Sequence, residues 1–385
     1  MIYLDHSATT RPLPEAVEAV HRALEERWGN PSSLHRMGLE AERLLVEARS
    51  VLAAALGVDP GEVVFTSGAT EANNLALWGV ARSRREAHVV VSAVEHSSVL
   101  EVAHRMRREG VRVDVVPVNR EGFLRLDVLQ QLVGPGTSLV SVMLVNNEVG
   151  TIQPLEEVVR ILDQVEARSG RRPLVHVDAV QGFLKVEVRP RIQRFDLVSL
   201  SGHKVGGPKG IGALYVRRGV QLVPLLGGGD QERGLRPGTE NVPGAAGFGA
   251  AVRAQLGTWR RAAERMRALR DLLRELLSDL PGVVWNTPSR DIAPHILNFA
   301  VPGVRGEVLV HRLEQEGVYV STGSACHSRK ARPSHVLLAM GRTELEATSS
   351  IRVSLAPQTS EEEIRAAAEA IHRAVRELRP QPVQR

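Results

Sequence analysis

Cysteine is almost absent from this 385-residue chain: Cys326 is the only one. A single thiol excludes an internal disulfide framework and argues against a cysteine-rich metal site, so no metal is expected. Aromatic residues make up 3% of the chain, leaving few platforms on which nucleic-acid bases could stack. The net charge is only +5, and the arginines are scattered along helical patterns such as Trp259 to Arg274. That distribution reads as a solvated face, and no direct nucleic-acid partner is expected. No apolar run approaches the ~20 residues that span a bilayer. The start, Met1-Ile2-Tyr3-Leu4-Asp5-His6, lacks a basic-then-apolar signal pattern. No membrane association and a cytoplasmic location are therefore the expectation.

What is present is a large soluble core, 43% hydrophobic residues against 24% charged. The length suits two domains. Helical spacing covers Pro14 to Trp28 and Leu34 to Leu56. Strand-like runs recur at Val63 to Phe65, Val89 to Val91, Val111 to Val118, Leu139 to Val145, Leu174 to Val177, Leu197 to Leu200 and Ile211 to Val216. Helical patterns fall between most of them, which argues for an α/β fold with a mostly parallel sheet covered on both faces. Val242 to Leu280 reads as largely helical. After Pro281 the pattern becomes that of a smaller α+β unit. Its strands are expected at His295 to Val301, Val318 to Ser321 and Ser350 to Leu355, and its helices at Glu307 to Glu316 and Glu361 to Leu378. The division expected is a large domain of residues 13–255 and a small one formed by 1–12 with 256–385.

The stretch around which the chain is organised is Ser199-Leu200-Ser201-Gly202-His203-Lys204-Val205-Gly206-Gly207-Pro208. A lysine at the end of a buried strand, among small residues, suits a Schiff-base nucleophile, because burial disfavours its charged form. A solvated lysine on a glycine-rich surface loop is the bland alternative. Four further stretches bear on chemistry. Thr66 to Asn73 is a small-residue turn opening a helix, where Ala69 and Thr70 can hold a phosphate on free backbone N–H groups; an ordinary helix start looks the same. Asp178 sits where a buried strand should end, the edge at which open α/β sheets bind ligands; it is either a partner for a cation or a cap. His96, just after a strand, is placed to stack on a flat ring or to cap a helix. Cys326 lies in a polar loop with Arg329, Lys330 and Arg332 nearby, which favours the thiolate.

Together these describe a pyridoxal-phosphate site, and the chain resembles the cysteine desulfurases. These are fold-type I pyridoxal-phosphate enzymes related to the class-V aminotransferases. The resemblance covers nearly the whole chain. It runs through Tyr3-Leu4-Asp5-His6-Ser7-Ala8-Thr9-Thr10, Gly29-Asn30-Pro31-Ser32-Ser33, Phe65 to Glu71, Asn146-Asn147-Glu148, His176-Val177-Asp178-Ala179 and Ser201-Gly202-His203-Lys204. Arg236-Pro237-Gly238-Thr239-Glu240-Asn241, Ser324-Ala325-Cys326 and Ser350-Ile351-Arg352-Val353-Ser354 complete it.

The resemblance implies a seven-stranded sheet in the large domain and a role for each matching residue. Lys204 is the Schiff-base lysine and proton carrier, and Asp178 pairs with the pyridinium nitrogen. Ala69, Thr70, Ser201 and His203 hold the phosphate, and Thr239 reaches the phosphate of the partner in a homodimer. His96 stacks on the ring and is catalytic with Lys204 and Cys326, Asn147 and Gln181 contact the ring oxygen, and Asn147 and Arg352 bind the substrate, Arg352 clamping its carboxylate. Cys326 takes sulfur from L-cysteine as a persulfide, releases alanine, and passes the sulfur to a protein acceptor, a scaffold or sulfur carrier, for iron–sulfur clusters or thiolated products. The loop departs from the family pattern at Thr322 and His327, and basic residues stand where an acidic one often precedes Pro333. A selenocysteine lyase or an aminotransferase of the same fold is the alternative enzyme. A basic sulfur carrier or nucleic-acid platform on a dead fold is the non-enzyme alternative.

Overall fold

The computed structural model describes residues 1–188, 194–323 and 333–379. In chain order, β1 (Ile2–Tyr3) precedes α1 (Pro14–Glu25) and α2 (Arg36–Leu56), followed by β2 (Val63–Thr66), α3 (Ala69–Arg82), β3 (His88–Ser92), α4 (Ser97–Arg108) and β4 (Arg112–Val116). Then come α5 (Leu126–Leu132), β5 (Leu139–Ser141), α6 (Leu155–Ser169), β6 (Leu174–Asp178), β7 (Leu197–Ser201), β8 (Gly212–Val216) and α7 (Val242–Gln255). The remainder is α8 (Trp259–Leu276), β9 (Val284–Trp285), β10 (Ile296–Ala300), α9 (Gly306–Gln315), β11 (Val318–Tyr319), α10 (His335–Ala339), α11 (Glu344–Thr348), β12 (Ser350–Ser354) and α12 (Glu361–Leu378).

Seven strands form one sheet in the order β2-β8-β7-β6-β5-β3-β4, and only β8 runs against the others. The near-continuous apolar runs of β3, β5, β6 and β7 follow from burial on both faces. Side chains alternate between those faces: Val90 joins the core under α2, α6 and α7, whereas Val89 and Val91 pack under α3 and α4. His176 interrupts β6 without loss, because both ring nitrogens are satisfied inside the sheet. Nδ1 lies 2.8 Å from Ser141 Oγ on β5 and Nε2 2.9 Å from Ser199 Oγ on β7. Burial holds this imidazole neutral, with its pKa lowered to about 3.

A second core joins Leu4 to α8, β10, α9, β12 and α12. Its three-stranded sheet has the order β12-β10-β9, and β1 pairs with β11. Val242 to Leu280 is largely helical, as expected, in two helices separated at Leu256-Gly257-Thr258, because α7 packs on α1 and α2 while α8 packs on α12. One sequence expectation is corrected. The expected strand Leu139 to Val145 ends at Ser141. Beyond it the chain still donates to β6 from Val142 and Leu144, but β3 has turned away after Ser92 on the other side.

Candidate active site

Of the expected site residues, Asp178, Ser201, His203 and Lys204 lie at the C-terminal edge of the large sheet. Asp178 ends β6, and Ser199 on β7 is its register partner. Three residues past the end of β7, Lys204 closes the 3₁₀ turn Gly202–Lys204. Lys204 is half-buried and donates to two carbonyls of the N-terminal arm, Ser7 O at 2.5 Å and Ala8 O at 2.6 Å. The solvated-loop alternative is therefore wrong: the lysine points inward and is held.

The phosphate corner depends on a missing side chain. Gly212 pairs laterally with Thr66 on one side and Ser201 on the other. A Cβ on Gly212 would sit 2.6 Å from the Gly68 carbonyl carbon and 2.7 Å from Leu200 O. Its absence lets the Gly68 turn before α3 pack directly against the start of β8, the strand that separates β2 from β7. No side chain caps α3, so its first N–H groups and positive dipole end remain available for an anion. His203 completes this corner. Its Nδ1 lies 3.1 Å from Thr9 Oγ1, and burial, reinforced by Lys204, Lys209 and Lys185, lowers its pKa to about 4.

Asp178 is only 5% exposed, and it accepts from two neutral donors: Asn73 Nδ2 at 2.8 Å and the Val180 N–H at 3.0 Å. The same Asn73 amide group donates to Ser98 Oγ, itself 2.8 Å from His96 Nδ1. His96 thus caps α4, accepting from the Ser98 N–H, while sharing one network with Asp178. Sequence reading missed Asn73 as the link. It also missed Glu95, fully buried beside this network. Burial first, and the Asp178 charge in smaller part, raise its pKa well above the usual carboxylate range, although the Met143 N–H opposes the shift. Glu95 Oε2 and Asn73 Oδ1 are buried without a hydrogen-bond partner among the described residues.

On the other wall, Gln181 donates to Ser7 O at 2.9 Å and faces His295 Nε2 at 3.2 Å. Arg352, in the middle of β12 and 3% exposed, spans the two cores. Its guanidinium donates to Asn147 O at 2.9 Å and to Asp5 Oδ1 at 2.7 Å. Asp5 was not read from the sequence as a site residue. Thr239 is exposed, on the segment following the 3₁₀ turn Gln231–Gly234. Cys326, with Arg329, Lys330 and Arg332, lies outside the described residues. Just beyond that segment, Ser334 donates to Glu148 and His335 bonds the Glu95 carbonyl, tying α10 to the site wall. No group of histidine, cysteine, aspartate and glutamate able to hold a metal ion occurs among the described residues.

A buried lysine was also missed. Lys185 is 8% exposed, and its Nζ lies 3.0 Å from the carbonyl oxygen of Lys204. The only sequence signal is its place in the apolar run Gly182-Phe183-Leu184-Lys185-Val186.

The chain has relatives among known proteins. The Aminotransferase class-V family model matches residues 2–366. The chain is 42% identical over 369 residues to the NifS/IcsS protein homolog of Lactobacillus delbrueckii subsp. bulgaricus, covering 94% of each chain. It is 40% identical over 381 residues to the cysteine desulfurase IscS of Dictyoglomus turgidum, covering 98% of this chain and 95% of that one. A solved NifS-like protein superposes with a TM-score of 0.90 at 39% identity, covering 97% of this chain and 99% of the other.

Proposed function

Because the chain belongs to the class-V aminotransferase family, we propose that it is a pyridoxal-phosphate-dependent cysteine desulfurase. It would convert L-cysteine to L-alanine and leave the sulfur on Cys326 as a persulfide. The observation that supports this best is the convergence of Lys204, Asp178 and the uncapped start of α3 on one sheet edge. The residues present fit the cofactor. A buried carboxylate with only neutral partners suits a pyridinium nitrogen, and the corner opened by Gly212 suits a phosphate. Once bound, the cofactor supplies an electron sink that labilises bonds at the substrate α-carbon.

The chain's own groups do the rest. Asp178 would pair with the pyridinium nitrogen. Ala69, Thr70, Ser201 and neutral His203 would hold the phosphate, His96 would stack on the ring, and Asn147 and Gln181 would contact its oxygen. Lys204 Nζ is the amine that holds and moves a proton; leaving the carbonyls of Ser7 and Ala8 frees it to do so. Arg352 binds the substrate carboxylate through its planar fork, a role in which the carboxylate replaces or joins Asp5. The Cys326 thiolate takes the substrate sulfur: one S–S bond forms, one C–S bond breaks, and the α-carbon skeleton leaves as alanine. A protein acceptor, a scaffold or a sulfur carrier, then receives the sulfur for iron–sulfur clusters or thiolated products.

Further proposals concern assembly and place. A homodimer is supported by the large apolar side chains exposed between residues 17 and 46, among them Trp28 at 69% and Leu34 at 95%. Thr239, exposed on the surface, would then serve the partner's site. A fully active monomer at high dilution contradicts this. The two-domain division at 255/256 is supported by the break between α7 and α8. No helix among the described residues is long and apolar enough to cross a membrane. The cytoplasm is proposed because a persulfide-forming thiol must be kept reduced.

Incubation with L-cysteine, pyridoxal phosphate and a reductant tests the activity. Alanine and sulfide should appear in equal amounts. Sulfide with pyruvate, or turnover of selenocysteine alone, would replace this activity by that of a different lyase.

A further inference from the structure

Lys185 is a buried lysine in an unusual place. It follows Leu184, whose φ of 55° is left-handed, a conformation that disfavours a side chain. Its amine is buried, and its pKa falls to about 7, first through burial and then through repulsion by Lys204. The charged and titratable groups around it offer no relief. His6 on the N-terminal arm, His203 in the 3₁₀ turn and His295 ahead of β10 all have pKa values pushed down in part by Lys185 itself. Two unfavourable features thus stand side by side in the turn that follows β6. The bond they make possible runs from Lys185 Nζ to the carbonyl of Lys204.

Resting on the role given above to Lys204, we propose that Lys185 is a positioning residue. Its buried amine holds the Lys204 carbonyl and so fixes the turn that aims the reacting side chain, with a loss of stability. Lys204 is gripped from two sides, its amine by Ser7 O and Ala8 O and its backbone by Lys185. Without the second grip, the 3₁₀ turn can rotate, and the amine no longer meets an aldehyde in one fixed geometry.

The sign of the stability effect separates this from a structural role. Below about pH 7 the folded protein must carry the buried charge, and between pH 7 and 10.5 only the unfolded chain binds the proton. The burden of Lys185 is therefore full at low pH, shrinks through that window and is gone near pH 10.5. A residue kept for packing should destabilise when replaced; one kept for positioning should stabilise.

The test uses Lys185→Met, of similar length without donor or charge. The cofactor-free protein is melted at pH 7 and pH 10. The protein is also mixed with pyridoxal phosphate, trapped with borohydride at timed intervals, and the adduct on Lys204 is quantified by mass spectrometry. Lys185→Met should melt above the parent at pH 7, with the gap closing by pH 10, and should capture pyridoxal phosphate on the order of tenfold more slowly. Lys185→Gln, which keeps a shorter N–H donor, should show the same stabilisation with a smaller loss of rate. Either variant capturing at the parent rate, or melting below the parent at pH 7, overturns the role of Lys185 alone. A parent protein that traps no adduct on Lys204 overturns the cofactor site and this inference together.

Discussion

Replacing Asp178 by Asn should separate cofactor binding from folding. The carboxylate is 5% exposed and accepts from Asn73 Nδ2 at 2.8 Å and from the Val180 N–H at 3.0 Å. In the Asp178→Asn protein the remaining side-chain oxygen still accepts from Val180. The new amide would face the Asn73 amide, donor to donor. Asn73 can answer by flipping, because its Oδ1 is buried without a partner among the described residues and would then accept from the substituted side chain. Two hydrogen bonds reverse direction, because the Asn73 amide also donates to Ser98 Oγ and the flipped oxygen would accept from that hydroxyl, and a buried charge disappears. The cofactor-free protein should therefore keep its melting temperature to within about 3 °C. Cofactor affinity should fall sharply, because a desolvated cation loses its buried anion. Truncating one partner of such a pair costs about 2–5 kcal/mol, and the isosteric Asn sits at the lower end. About 2–3 kcal/mol corresponds to a roughly 30- to 150-fold rise in Kd. Equilibrium dialysis of pyridoxal phosphate against parent and Asp178→Asn protein measures it. A Kd within about threefold of the parent would refute the pairing and reduce Asp178 to a cap for the turn at Val180.

Gly212→Ala should displace the start of α3, since its Cβ would meet the Gly68 backbone at 2.6 Å. A destabilisation of about 1–3 kcal/mol is expected, with preferential loss of pyridoxal phosphate over pyridoxal in binding assays; equal losses for both would remove the phosphate corner from that edge. Cys326→Ala should still bind pyridoxal phosphate and respond spectrally to L-cysteine, while alanine release and the protein persulfide both vanish; parent-like turnover would make the thiol a bystander. Acid should destabilise the fold through His176, whose folded pKa of about 3 lies below the unfolded 6.5. The unfolded chain gains a proton first, so stability is full above pH 6.5 and falls as pH drops toward 3, by about 4–5 kcal/mol in total. Thermal melts from pH 7 to 3 measure it, and a His176→Gln protein with the same acid limb as the parent would assign the loss elsewhere.

Much of this was legible in the chain itself. The apolar runs of β3, β5, β6 and β7 specify buried parallel strands, and Ser360 with Glu363 marks the start of α12, where the capping box forms. Lys204, Asp178 and His96 stand out because a polar residue at or within a few positions of the end of a buried strand lies at a ligand-binding edge. Tertiary structure decided the rest. It joined Asn73 to Asp178 across a sequence separation of 105 residues, and Arg352 to Asp5 across 347. It ended β5 at Ser141 and split the helical pattern at Gly257, because neighbouring elements diverge there. Above all, it gave Lys185 its partner. Sequence periodicity reports which face of a strand or helix is apolar, and a lysine inside an apolar run reads only as an exception. Whether that exception finds a donor, an acceptor or another cation depends on which distant backbone group the fold brings within hydrogen-bonding reach, and local spacing contains no information about that distance.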